Sequence, residues 1–217
     1  MTPGEARQEV ARGSGAEPSA MRLFESDTLE RLTRTKLATV PLLWIPLCTG
    51  LLTLGISDGT LAAEEVVGLI ATALLAWTLF EYVFHRLVFH LDRYFPSTAR
   101  FCFMMHGSHH LDPGDAGRRL TPPAVSLPIF AAVLGLAFLA FGRDGGVIFG
   151  GAFGLAYVAY DLTHYGCHEW RLPGPIWAYL KRHHLAHHFV DDARNFGVTS
   201  PLWDWVFGTR RVSGRRG

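Results

Sequence analysis

The sequence predicts an all-α fold, an integral membrane four-helix bundle with a helical cap, and three observations carry that reading. Of 217 residues, 49% are hydrophobic and only 18% are charged, below the roughly 25% charged share of soluble domains. Two charge-free runs reach the length a bilayer requires, and two shorter uncharged runs follow the same rule less cleanly. The Lys and Arg residues fall almost entirely on the segments that one side of a four-span chain would hold. An apolar content this high excludes disorder for most of the length. Twenty Lys and Arg against nineteen Asp and Glu leave no basic field for nucleic acid. Cys48, Cys102 and Cys167 lie far apart without CxxC spacing, so neither a disulfide scaffold nor a cysteine zinc site is expected.

Residues 1–23 read as a flexible polar tail and 24–217 as the membrane domain. Phe24 to Lys36 reads as a short surface helix, with Ser26 or Asp27 as its cap and Glu30 in its first turn. The first span is expected at about 37–57, a run without charge. The second, at about 62–83, contains the uncharged stretch Val66 to Phe80. The third, at about 124–142, ends a second long charge-free run, and the fourth lies at about 145–164. A helix crossing the hydrocarbon needs about 20 mostly apolar residues. A soluble bundle of four buried helices is the alternative, but such helices keep a polar face, and these runs have almost none. The glycines of span four (Gly145, Gly146, Gly150, Gly151 and Gly154) favour close helix packing.

Four spans put both termini on one side, together with residues 81–119. Every Lys and Arg but Arg143 lies in those segments, so by the positive-inside rule they face the cytoplasm. The histidines are confined to the same segments. All eleven lie in four windows: 85–90, 106–110, 164–168 and 183–188. Residues three and four apart share a helix face, so His106/His109/His110, His164/His168 and His184/His187/His188 can each present imidazoles to one point. His85 and His90 are five apart and diverge by about 140° on a regular helix. Either they serve two metals or the helix ends between them. Neutral imidazole is the commonest metal-ligating side chain, and so many in one place imply more than one ion. Windows one and two follow span two, and windows three and four follow span four. The cap is therefore expected to be cytoplasmic and to carry a histidine-rich di-metal site over one end of the bundle. Haem ligation and metal transport fit less well: adjacent His-His pairs at helix ends do not suit a haem, and spans one and three offer no ionisable group at mid-membrane depth.

The stretches EYVFHRLVFH (81–90), MHGSHHLDPGDAGRRLTPP (105–123), YDLTHYGCHE (160–169) and LKRHHLAHHFVDDARNFGVTSPLWDWVFGT (180–209) resemble the integral-membrane fatty acid hydroxylase superfamily. That group includes fatty acid 2-hydroxylases, sterol desaturases and C-4 methyl sterol oxidases. The five-residue step in the first window, the tail Asp115…Arg118…Pro122-Pro123 and the ending FGVTSPLWDWVFGT look most like the fatty acid 2-hydroxylases. The resemblance implies a di-iron oxygenase with two iron ions, which zinc can replace in a purified sample. Carried over residue by residue, the ligands are His85, His90, His106, His109, His110, His164, His168, His184, His187 and His188. His183 stands where the family varies and is expected to neighbour the site. Glu169 departs from the family, which often has a further histidine there.

The implied reaction inserts one oxygen atom from molecular oxygen into a lipid C–H bond, at carbon two of a fatty acyl chain. Sterol or carotenoid hydroxylation or desaturation by the same centre is the alternative, and a non-catalytic metal-binding membrane protein the alternative of another class. Glu81, four residues before His85, and Asp161, three before His164, are placed to accept the outward N–H of ligating imidazoles, or to line the pocket beside Tyr160. With every histidine committed to the four windows, no haem ligand remains for a fused cytochrome. A separate electron donor is expected, such as a ferredoxin or small cytochrome, and a bacterial cell membrane as the location. Trp203, Trp205 and Phe207 suit either a membrane-interface belt or packing of the C-terminal segment.

Overall fold

The computed structural model describes residues 21–211, so most of the tail expected over residues 1–23 lies outside the described residues. All regular structure among the described residues is helical. Helix α1 (Asp27–Leu32) is shorter than the expected 24–36. Ser26 contributes its carbonyl to the first turn, and Glu30 reaches back to accept from the backbone N–H of Leu23 at 2.9 Å. Helix α2 spans Thr39–Ser57 and α3 spans Ala63–Phe84. The short α4 (Ala99–Cys102) and α5 (Ser108–Leu111) follow. Then come α6 (Pro123–Glu169), α7 (Pro175–Phe189) and α8 (Leu202–Val206).

Among the described residues, three helical stretches are long and apolar enough to cross a membrane: Thr39–Ser57, Ala63–Phe89 and Ala116–Glu169. The third contains two of the expected spans. As one straight helix, the 47 residues of α6 would reach about 70 Å, more than twice the hydrocarbon core. At Gly142 the backbone turns to φ 69°, ψ −172°, a conformation that costs glycine little and other residues much. The chain doubles back there. A Cβ added at Gly146 would strike Phe138 at 2.4 Å, one at Gly150 would strike Leu134 at 2.5 Å, and one at Gly154 would reach Phe130 at 3.0 Å. Position numbers that rise on one arm while falling on the other mark an antiparallel hairpin, and the glycines at every fourth position form its seam.

The chain divides into two compact units. One comprises Arg31–Trp77 and Gly117–Leu162 and holds most of the apolar helix length. Its interior is aromatic. Trp44 meets Phe130 and Tyr157 edge-on, each at 4.9 Å, and Trp77 lies 5.0 Å from Phe153 and 5.6 Å from Tyr160. Helix α2 joins the second arm of α6 closely enough that a Cβ at Gly151 would meet the Cys48 carbonyl at 2.7 Å. At the turn end, Thr60 donates to Asp144 (2.7 Å) and Arg143 pairs with Asp58 (3.0 Å). The outward faces carry large apolar side chains in the open, among them Leu42, Val67, Leu136 and Leu139. Water makes such a surface costly and lipid does not.

Among the described residues, the second unit takes in 21–30, 78–116 and 163–211. It contains every histidine. Apart from α7, the elements wholly within it are short, and two of its stretches, His85–Phe89 and Phe103–Gly107, are wound as π-helix. Within it, α8 lies against the end of α3: Trp203 donates its indole N–H to Thr78 (3.0 Å), and Phe207 stacks on Tyr82 at 5.3 Å.

Candidate metal centre

Ten of the eleven histidines gather into two groups of five. His85, His90, His106, His110 and His187 form the first; His109, His164, His168, His184 and His188 form the second. Within each group, one ring nitrogen from every member lies within 4.8 Å of every other. The groups abut, with His110 and His188 stacked at 4.1 Å between centroids.

The windows divide between the groups by a simple rule. Pairs four apart stay together: His106 with His110, His164 with His168, His184 with His188. The members three residues away, His109 and His187, turn to the other group. Each of these windows thus presents two imidazoles to one point, as its spacing allows, and the third member of a window goes to the other centre because positions i+3 and i+4 straddle the face. The first window takes one of its two alternatives. His85 and His90 join one group, with rings stacked at 5.3 Å. They meet because the five residues from His85 wind as π-helix, in which residue i+5 stands over residue i. The two do not serve separate metals; the winding ends at Phe89 and His90 caps it at φ −113°, ψ 31°, so of the two alternatives the helix end between them is the one that holds.

Deep burial makes the cluster chemically specific. His85, His90, His109, His184 and His187 are each at most 2% exposed. Their Nε2 atoms point at one another: His85 to His106 at 3.1 Å, His106 to His110 at 2.9 Å, His90 to His187 at 3.2 Å, His109 to His164 at 3.0 Å and His168 to His184 at 2.9 Å. A single proton can bridge one such pair, but not both of the pairs that share His106. Metal–nitrogen bonds of about 2.1 Å at right angles set ligand nitrogens about 3.0 Å apart, so the donor set fits a cation in each group. His188 adds a second sign, because both its ring nitrogens are buried with no hydrogen-bond partner among the described residues. Burial, reinforced by the neighbouring imidazoles, holds His106, His110, His184 and His187 well below the ordinary value of 6.5, and lowers His188 in the same way. The rings are therefore neutral, the form that binds metal.

Two ring orientations are fixed by backbone. His85 Nδ1 donates to the Phe196 carbonyl at 2.6 Å and His187 Nδ1 to that of Arg194 at 2.7 Å. With the proton on Nδ1, each presents the Nε2 lone pair inward. Phe196 also packs edge-on against His85, His90 and His187, and Phe89 stacks on His106 at 4.9 Å. These rings line the first group with hydrocarbon.

His183 lies outside both groups. Its Nε2 is 3.0 Å from Asp204 and its ring stacks on Tyr179. Glu169 is exposed at the end of α6. Glu81 is buried and accepts hydrogen bonds from the backbone of Val198 and Thr199 and from the Thr199 hydroxyl. Asp161 is fully buried and accepts from the Thr121 N–H, the Thr121 hydroxyl and the Tyr157 hydroxyl (2.8 Å). Those bonds, and none to an imidazole, are the ones its carboxylate makes among the described hydrogen bonds. Tyr160 is packed on Trp77.

Asp204 and Asn195 are polar anchors that sequence reasoning passed over. The signal for Asp204 was an acid flanked by Trp203 and Trp205 in an apolar stretch, where a carboxylate survives only if hydrogen-bonded. Asn195 adopts φ 59°, which marks it in the structure but not in the sequence.

Residues 70–209 match the model of the family described as fatty acid hydroxylase. A dihydroceramide fatty acyl 2-hydroxylase of Arabidopsis thaliana is 38% identical over 196 residues, covering 87% of this chain and 79% of the relative. The human fatty acid 2-hydroxylase is 34% identical over 87% of this chain, which spans 56% of its length. Among solved structures, full-length scs7p, with only its hydroxylase domain visible, superposes with a TM-score of 0.80 at 32% identity, covering 86% of this chain and 70% of that one. Window order, cluster geometry and similarity along most of the chain agree: this protein belongs to the fatty acid hydroxylase family.

Proposed function

We propose that the chain hydroxylates a fatty acyl chain at carbon two, using two iron ions held by the ten grouped histidines. The observation that carries this reading is the convergence of four separated histidine windows into two five-nitrogen clusters, in a chain similar to enzymes named for 2-hydroxylation of fatty acyl chains. Iron suits imidazole ligands, and zinc would fill the same sites in a sample purified without iron. Bound iron would supply the activation of molecular oxygen, one atom entering the C–H bond and the other leaving as water with two electrons and two protons.

The chain's own residues supply placement. Burial keeps the imidazoles neutral, the carbonyls of Arg194 and Phe196 aim two of them, and Phe89 and Phe196 keep water from the first group. A lipid substrate and a membrane setting accord with the apolar helices. Electrons come from a separate donor, a ferredoxin or small cytochrome, meeting the basic cytoplasmic face that the distribution of Lys and Arg predicts. The named relatives are plant, yeast and mammalian, and they lend no support to a bacterial membrane.

Expression with a working reductant, followed by profiling of host fatty acids, sterols and carotenoids, tests the proposal. The expected result is a one-oxygen mass gain on fatty acyl chains with the new hydroxyl at carbon two, absent in His109→Ala and His187→Ala. A gain confined to sterols or carotenoids would move the substrate class, and unchanged lipids would sink the assignment.

A further inference from the structure

The two histidine groups are oriented by different means, a contrast that matters if both are metal sites, as proposed above. In the first, His85 and His187 each lean on a carbonyl of one short loop, at Phe196 and Arg194. No regular helix fixes that loop. Asn195, whose N–H donates to the Thr209 carbonyl at 3.0 Å, and two carboxylates do. Asp204, fully buried on α8, accepts from the N–H of Phe196 (2.9 Å), the N–H of Gly197 (2.8 Å) and the Thr209 hydroxyl (2.7 Å), and meets His183 Nε2 at 3.0 Å. These bonds hold Asp204 ionised although burial opposes the charge. Glu81 grips the following residues, Val198 and Thr199. In the second group, His184 Nδ1 and both ring nitrogens of His188 are buried with no hydrogen-bond partner among the described residues. Those two rings are placed by α7 itself, which Lys181 ties separately to the Trp170 carbonyl at 2.8 Å.

We infer that Asp204 is a positioning residue for one of the two metal ions. Through the loop at 194–197 it aims the Nε2 atoms of His85 and His187 into the first group, while His184 and His188 of the second group take their geometry from α7. Such outer partners typically govern metal affinity by about 10- to 100-fold. The effect of Asp204 falls on one site. Its contact with His183 bears on α7 as a whole, which the Lys181 tie holds independently.

The test isolates each site in the full chain, purified and placed in lipid nanodiscs, with Zn2+ as probe against a competing chelator. His184→Ala leaves the first group intact, and His85→Ala leaves the second. Asp204→Asn keeps the size but turns an amide toward the N–H donors. In the His184→Ala background it is expected to weaken Zn2+ binding about 10- to 100-fold; in the His85→Ala background it should leave binding unchanged. Thr209→Val, which removes one of the Asp204 bonds, should weaken the first site in the same direction by less. Equal weakening in both backgrounds, or none in either, overturns the inference. Should Asp204→Asn fail to fold, Thr209→Val decides alone, and a first site unaffected by it overturns the inference. Failure of the unsubstituted chain to bind two Zn2+ would strike instead at the metal reading itself.

Discussion

In the unit that holds the apolar helices, contacts are made by rings and by the absence of side chains. Trp44 sits edge-on to Phe130 and Tyr157, and glycines at every fourth position let the two arms of α6 touch. In the histidine unit, position is set by hydrogen bonds to individual atoms: carbonyls at 194 and 196, carboxylates at 81 and 204. Packing is non-directional and tolerates change by degrees. A buried polar network is fully satisfied or costly. Substitutions should therefore act gradually in the first unit and abruptly in the second.

The sharpest break of that contrast is His187→Ala. It should abolish hydroxylation and remove one metal ion per chain, measured by elemental analysis, with helix content by circular dichroism unchanged. Trp44→Ala in the packed unit should cost about 3–5 kcal/mol of stability, read as a lowered Tm in detergent, while each chain still folded keeps both ions. Two full ions on a destabilised Trp44→Ala protein would uphold the separation of roles; loss of an ion would break it.

Acid should find the histidine unit first. Folding lowers the affinity of its buried imidazoles for protons, so below 6.5 the unfolded chain takes up protons that the folded one refuses. Stability of the metal-free protein should then fall progressively as pH drops below 6.5. Thermal melts across that range check it, and bound metal, which competes with the same protons, should displace the loss to lower pH. The smallest effect is expected at Gly142. Its φ of 69° with ψ −172° is a conformation nearly confined to glycine, so Gly142→Ala should be unfavourable by about 1–3 kcal/mol, again with both ions retained.

Much of this architecture was legible in the residues. The charge-free runs gave the apolar arms, because lipid demands length and apolarity and both are countable. The four windows announced a metal centre, because histidines at helical spacing share a face. The distribution of the windows between two groups was not legible. It depends on whether a helix presents position i+3 or i+4 to a given point, which differs between His109 and His110 only through their surroundings. The winding at His85–Phe89 was hidden for a related reason: the same five-residue step is scattered on an α-helix and aligned on a π-helix. The roles of Asp204 and Asn195 depend on partners about ten residues away across an irregular loop, and no periodicity reports those.

The π-wound stretch at His85 changes how spacing in such chains should be counted. A π turn amounts to an α turn with one residue inserted and its neighbours left in place. A window with four residues between its histidines, as here, and a window with three can thus deliver imidazoles to the same spot. Insertion or deletion of one residue, ordinarily ruinous inside a helix because it rotates everything beyond it, is absorbed locally by a change of winding. Spacing within the first window is consequently a poor guide to which chains share this centre, and the direction of the two imidazoles is the better one.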